Sequence, residues 1–211
     1  LSKKITGSTQ VAAVQGLSAS DSTDLIGNIR NLNITVNGTE GIGILRNANY
    51  VEKDDSTGTP FGDIVLKNIN VESLNFGTEA SKSVLIRSDR SKLVLEKDLT
   101  LTTVLSAGKS DNIVMLANNS AAANSADPLY TAKVENKAKI DIGAGLYKTT
   151  ALLSANSGEA TNSAAGEIII NSDESQGMAI LSGAAGFNSG IITVLGTKSV
   201  GIANMGEFTM T

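Results

Sequence analysis

Asn112-Ile113-Val114-Met115-Leu116-Ala117-Asn118 sets five apolar residues between two asparagines. A run this short, closed by turn-favouring side chains, has the length of a strand and not of a helix. Variants of the word recur along the chain. They are Gly41-Ile42-Gly43-Ile44-Leu45-Arg46-Asn47, Ser83-Val84-Leu85-Ile86-Arg87-Ser88, Thr150-Ala151-Leu152-Leu153-Ser154, Gly177-Met178-Ala179-Ile180-Leu181-Ser182 and Val200-Gly201-Ile202-Ala203-Asn204, with a weaker copy at Val11-Ala12-Ala13-Val14. Between them lies a second kind of segment, opened by Gly or Lys, in which apolar residues alternate with polar ones: Ile29, Leu32, Ile34 and Val36; Ile64, Leu66, Ile69 and Val71; Leu93, Leu95, Leu99 and Leu101; Val134, Ile140 and Ile142; Ile168 and Ile170; Ile192, Val194 and Leu195; Phe208 and Met210. Residues 27–36 align with residues 62–71 as the best local self-match.

Counted from the first strand, successive units begin about 41, 30, 37, 28 and 22 residues apart. Fixed strands with a drifting period mark a solenoid, in which each unit buries its apolar face on the next and insertions leave at the corners. The sequence therefore predicts an all-β, right-handed parallel β-helix (β-solenoid) of about seven turns with corner loops. It forms one segment, 1–211, of a longer chain, because Leu1 is no natural start and the alternation runs to the last residues. The loops fall at 52–61, 119–130 and 155–165, and both prolines, Pro60 and Pro128, sit in them, where no ladder N–H is lost. An antiparallel sandwich is the main alternative. It would use hairpin turns such as Asn-Gly, of which Asn37-Gly38 is the single instance, and larger aromatic core residues. A helix within the Ala-dense stretch 117–126 is interrupted by Asn and Ser.

Composition excludes several kinds of chemistry. The 211 residues hold no His, Cys or Trp, so there is no histidine base, no thiolate and no ordinary zinc, copper, haem or iron–sulfur ligand set. Net charge is −4, with only 17 Lys and Arg, which argues against tracking a phosphate backbone. Aromatics are 3% of the chain, too few for stacking platforms. No run approaches the roughly 18 apolar residues of a membrane helix.

The remaining polar residues read first as structure. Asn47, Ser88 and Asn118 stand at equivalent places after the first strand, where amides and hydroxyls of successive turns stack into ladders. Gly27, Gly62, Gly166, Gly190 and Gly206 supply tight corners or positive φ. Ser81-Lys82-Ser83 and Ser91-Lys92 are the only words resembling a Ser–Lys dyad, and a Ser-rich chain yields them by chance. Gly143-Ala144-Gly145-Leu146-Tyr147-Lys148 lacks the helix start of a phosphate-binding loop and reads as a corner. Asp54, Asp55, Asp89 and Asp111 do not recur at matched strand positions, as a two-carboxylate or calcium site in a coil would need. Arg46 and Arg87, both just after the first strand, either stack into a cationic spot or pair with Asp89 or Glu52, the better reading. Asn33-Ile34-Thr35 and Asn37-Gly38-Thr39 match glycan acceptors that only a eukaryotic secretory setting would use.

Ser175-Gln176-Gly177-Met178-Ala179-Ile180-Leu181-Ser182, Ser189-Gly190-Ile191-Ile192 and Ser199-Val200-Gly201-Ile202-Ala203-Asn204-Met205-Gly206-Glu207 resemble the passenger domains of bacterial type V (monomeric) autotransporters, in particular the large fusobacterial-type adhesins. The resemblance implies a right-handed β-helix displayed outside the cell and anchored in the outer membrane by a C-terminal barrel absent from this segment. It brings no catalytic residues, metal or cofactor. The expected function is that of a non-enzymatic adhesin or structural rod. Its partner would be a protein or glycan receptor on another cell, met by the three loops. A self-associating filament or layer subunit is the alternative, and a polysaccharide-active β-helix enzyme a weaker one.

Overall fold

The computed structural model describes residues 2–5, 12–15, 32–46, 64–65, 71–89, 92–119 and 131–211. Asn47, Glu52, Asp54, Asp55, Gly27, Gly62, the loop at 52–61 and all but Asn119 of the loop at 119–130 lie outside them.

The chain winds through strands in a fixed order. It begins with β1 (Ser2–Ile5) and β2 (Ala12–Gln15), then β3 (Leu32–Val36), β4 (Ile42–Arg46) and β5 (Ile64–Val65), then β6 (Val71–Phe76), β7 (Val84–Ser88) and β8 (Lys92–Leu95). It continues through β9 (Leu99–Leu101), β10 (Ile113–Asn118) and β11 (Lys133–Asn136), then β12 (Lys139–Ile142), β13 (Thr150–Ala155) and β14 (Glu159–Asn162). The last two triplets are β15 (Glu167–Ile170), β16 (Gln176–Ile180) and β17 (Ala185–Asn188), and β18 (Ile191–Val194), β19 (Val200–Asn204) and β20 (Glu207–Met210). From β7 to β17 every strand pairs with the strand three places further on, and every pairing is parallel. The fold is a parallel β-solenoid. Its longest face holds seven strands, β2 through β19, in the order β19-β16-β13-β10-β7-β4-β2. That matches the seven turns read from the sequence, and among the described residues no antiparallel pair of a sandwich occurs.

Each complete coil has three strands, not the two that the alternation suggests. The second kind of segment bends once. Asn136 is buried, Lys137 exposed, Ala138 buried, Lys139 half-buried and Ile140 buried, so the period of two passes unbroken through the corner between β11 and β12. The bend is made by the Asn136 side chain, whose Oδ1 accepts the Ala138 N–H at 3.1 Å, a local turn that leaves no mark in the hydrophobic pattern. For the same reason the 27–36 and 62–71 self-match is not a structural one. Leu32–Val36 pairs with Val71–Phe76, whereas Ile64–Val65 pairs with β8 on another face.

The interior is a set of apolar columns. Ile44, Ile86, Met115, Leu152, Met178 and Ile202 stack on the long face. Leu99, Ile140, Ile168 and Ile192 stack on the next, flanked by Leu101, Ile142, Ile170 and Val194. Most are completely buried, and each such side chain contributes about 1.5–3 kcal/mol on leaving water. The third face is narrower, with Val134, Ala160 and Gly186 in register. A Cβ on Gly186 would collide with the Ile180 side chain, so the large neighbour dictates the small residue.

The polar ladders lie elsewhere than the sequence suggests. Ser88 pairs with Ala117, and Asn118 with Ala155, so they share no column. Arg46 pairs with Ser88, and Arg87 with Leu45, so the two arginines stand in different register columns. Arg87 instead donates from Nε to Asp89 at 2.6 Å, the pairing preferred from the sequence. The amide ladder runs along the third face: Asn136 Nδ2 donates to Asn162 Oδ1 at 2.9 Å, and Asn162 Nδ2 to Asn188 Oδ1 at 2.8 Å. Gly166 turns beside it, and a Cβ there would collide with Asn162 Oδ1. This corner glycine is required by close approach and not by positive φ, which among the described glycines is confined to Gly108 and Gly183.

Two substitutions test the interior. Ser154 is completely buried and its Oγ has no hydrogen-bond partner, while Ala117 fills the same column one coil earlier. Ser154→Ala should raise unfolding stability in urea by about 1 kcal/mol; a loss of stability would show that the hydroxyl is used. Asn162→Ala breaks both ladder bonds and should lower stability by about 2–3 kcal/mol.

Candidate functional site

The corner that leads into the long face carries the most regular chemistry. One residue there adopts the left-handed conformation in every coil from β4 to β19: Glu40 (φ 58°), Lys82 (51°), Asp111 (60°), Lys148 (44°), Glu174 (50°) and Lys198 (55°). Such a φ costs a non-glycine residue roughly 1–3 kcal/mol, and Gly or Asn would be the ordinary choice. None of the six is either. Acid and base alternate without exception along the column.

Two features hold the strained backbone. The left-handed residue donates its N–H to the next coil: Glu40 to Ser81 O (2.9 Å), Lys82 to Ser110 O (2.8 Å), Lys148 to Asp173 O (3.1 Å) and Glu174 to Thr197 O (2.8 Å). The residue after it is small or polar and receives the preceding coil. Ser83 Oγ accepts the Gly41 N–H, Asn112 Oδ1 the Ser83 N–H, Ser175 Oγ the Thr149 N–H and Ser199 Oγ the Ser175 N–H, at 2.9–3.1 Å. Ser83 Oγ also donates to Gly38 O at 2.6 Å. The Ser81-Lys82-Ser83 word is thus a structural corner, with its serine hydroxyl committed to two backbone groups.

Alternation brings opposite charges together between coils. Glu174 Oε2 lies 3.6 Å from Lys148 Nζ, and its Oε1 3.7 Å from Lys198 Nζ. The Tyr147 hydroxyl donates to Glu174, and Lys148 Nζ stands 5.3 Å from the centre of the Tyr147 ring. The hydrogen bond from Tyr147, helped by Lys148 and Lys198, holds the Glu174 carboxyl below its ordinary value of 4.5. The same bond raises the Tyr147 phenol above its ordinary 10. At the corner before β7, the Ser106 hydroxyl and then Lys109 lower the Glu79 carboxyl in the same way.

Beside this column an open groove of about 490 Å³ spans three coils. Ile113, Thr150, Leu153, Gln176, Ala179 and Leu181 line it, and Asp111, Lys148 and Glu174 edge it. A floor of Ile113, Leu153, Ala179 and Leu181 interspersed with Thr150 and Gln176, with an edge of alternating charge, suits an extended polar chain laid along the axis. The column could have been found from the words Glu40-Gly41-Ile42, Lys82-Ser83-Val84, Asp111-Asn112-Ile113, Lys148-Thr149-Thr150, Glu174-Ser175-Gln176 and Lys198-Ser199-Val200, each a charge and a small or polar residue before the strand.

The other residues singled out in the sequence are dispersed. Asp89 is buried against Arg87, and Asp111 accepts from Ser110 Oγ at 2.8 Å. Lys92 Nζ sits 2.6 Å from Glu135. Residues 143–148 form the expected corner between β12 and β13, with Leu146 N–H donating to Gly143 O. Asn33 accepts from Ser73 Oγ and Asn37 from the Glu79 N–H, so both glycan-acceptor asparagines hold the next coil. Among the described residues no three acidic side chains converge on a metal position. The expected binding loop 155–165 is a correction: β14 occupies its middle, with Ala160 and Asn162 buried in the solenoid. Comparison with family models, curated proteins and solved structures returns no match.

Glu174→Lys places three lysines in succession and should lower the unfolding midpoint, with the loss removed at about 1 M salt, where the Debye length shrinks to roughly 3 Å. Because the folded-state pKa of Glu174 is depressed, its contribution is complete above 4.5 and is lost as pH falls through the lower folded value. Stability of the wild-type chain should therefore drop below pH 4.5, and Glu174→Gln should flatten that acid limb.

Proposed function

We propose that this protein is a non-enzymatic rod displayed on a bacterial cell surface, attaching the cell to host or other bacterial cells. The observation that carries the reading is the groove on the long face, built from columns that repeat at every coil. Coils about 4.8 Å apart set side chains at a regular spacing along the axis, so weak contacts on successive coils add through avidity. Two features support a scaffold over an enzyme. Its corner serines are engaged by backbone, and many of its charges pair with neighbouring coils, as in Lys133–Glu159 (2.9 Å) and Lys92–Glu135 (2.6 Å). The resemblance of residues 175–182 and 199–207 to autotransporter passengers supports export and outer-membrane anchorage.

Leu153→Arg is the test. Arg87 stands in the same column, two coils away, so the strand accepts the side chain while the groove floor gains a bulky charge. Binding of the immobilised protein to epithelial and bacterial cells, or to a glycan array, should fall at least about tenfold, a loss near 1.4 kcal/mol, with the circular dichroism spectrum unchanged. Unaltered binding removes the groove from the reading, and no binding by the wild-type chain removes adhesion itself. Release of unsaturated uronates from polyuronate chains would make the protein an enzyme instead.

A further inference from the structure

The corner column leads beyond a single chain. Glu40, Lys82, Asp111, Lys148, Glu174 and Lys198 alternate in sign from coil to coil. Within the chain only the second half of the column turns this alternation into ion pairs. Glu174 is paired with Lys148 and Lys198, whereas among the described residues Glu40, Lys82 and Asp111 enter none. All three are exposed, on the edge of the long face. Their charges stand in order, one per coil, without a partner of opposite sign in the same chain.

A partner that matches this column must carry charges of alternating sign about 4.8 Å apart, and a second copy of the chain carries them. Two rods set face to face and parallel hold their corner columns at opposite edges, where the charges do not meet. Turned antiparallel, by a two-fold axis that runs along the strands, they bring the columns to the same edge. An axis at the height of a coil would oppose like charges. An axis midway between the coils of Asp111 and Lys148 opposes unlike charges throughout: Glu40 meets Lys198, Lys82 meets Glu174 and Asp111 meets Lys148, each contact made twice. The same axis passes over the open groove, so the half-buried Ile113, Thr150 and Leu153 of the two copies face each other beside those charges. We propose that the long face binds a second copy of this chain, antiparallel, with the two corner columns matched in sign. Such an interface is isologous, one patch serving both copies, and like-charge contact excludes the registers one coil away. This rests on the reading of the groove as a binding surface, and names the partner that covers it.

Sedimentation equilibrium of the full chain at low salt should show a dimer that weakens at about 1 M salt, where the Debye length is roughly 3 Å. Asp111→Lys and Lys148→Glu chains should each dimerise at least about tenfold more weakly, because each sets two like-charge contacts beside the axis. Mixed in equal amounts they should recover the wild-type strength, since the two reversed charges then face each other and the opposite contact keeps its native pair. Any damage within a chain is the same in the mixture, so recovery reports contact between chains. Orientation is read separately. The chain has no cysteine of its own, so nitroxide labels can be placed on Ala107→Cys or Thr197→Cys, both exposed corner positions. Across an antiparallel dimer these pairs are offset along the rod by about one coil and about five coils, roughly 5 and 24 Å, so the Thr197 pair should read much the longer. Equal separations for the two pairs, charge reversals without effect, or a mixture no stronger than its components would overturn the proposal. A chain that stays monomeric at millimolar concentration yet binds cells overturns it and leaves adhesion standing. A chain that dimerises in this way and binds no cell upholds it and removes adhesion.

Discussion

Parallel strands stacked at one coil spacing constrain everything else in this protein. Each residue has two neighbours fixed by translation, one on the coil before and one on the coil after, so a side chain is acceptable only if it tolerates its counterparts. Apolar side chains satisfy this by stacking in columns, as Ile44 through Ile202 do. Amides satisfy it by donating to one neighbour and accepting from the other, as Asn162 does between Asn136 and Asn188. Charges satisfy it by alternating in sign.

The alternating corner column shows the constraint acting against local preference. Six left-handed positions are filled by Glu, Lys and Asp, although glycine would adopt that backbone more cheaply. Exposed ion pairs contribute little to stability, so energy alone does not account for the choice. Register does. A slip of a parallel coil by one residue reverses which side chains face the core, and a slip by a whole coil would set like charges against each other at Lys148, Glu174 and Lys198. The strained corner is held by backbone hydrogen bonds to the adjacent coil, which form only when the correct neighbour is in place.

The groove beside this column inherits the same repetition. Ile113, Thr150 and Gln176 are successive members of one register column, and Leu153 and Ala179 of another. It spans three of the coils, and its edge follows the alternating charges of the corner column.

How much of this was legible follows from what the hydrophobic pattern records. Short apolar words with variable spacing identify a solenoid, and their number identifies the turns, because strands that bury a core must be apolar whatever lies between them. The corner within Lys133–Ile142 was hidden, since Ala138 keeps the period of two while the backbone bends. Strands β14 and β17 were hidden too: their inward residues Ala160 and Gly186 are small, and at Gly186 the Ile180 side chain occupies the space that a Cβ would take, which no local pattern reports. Which asparagines form a ladder, and which charges meet at the corner, depended on register. By itself the chain determined that coils would stack; only the closed solenoid decided which residue stands on which, because that pairing is a relation between segments 24 to 45 positions apart and is set by how all three faces close together.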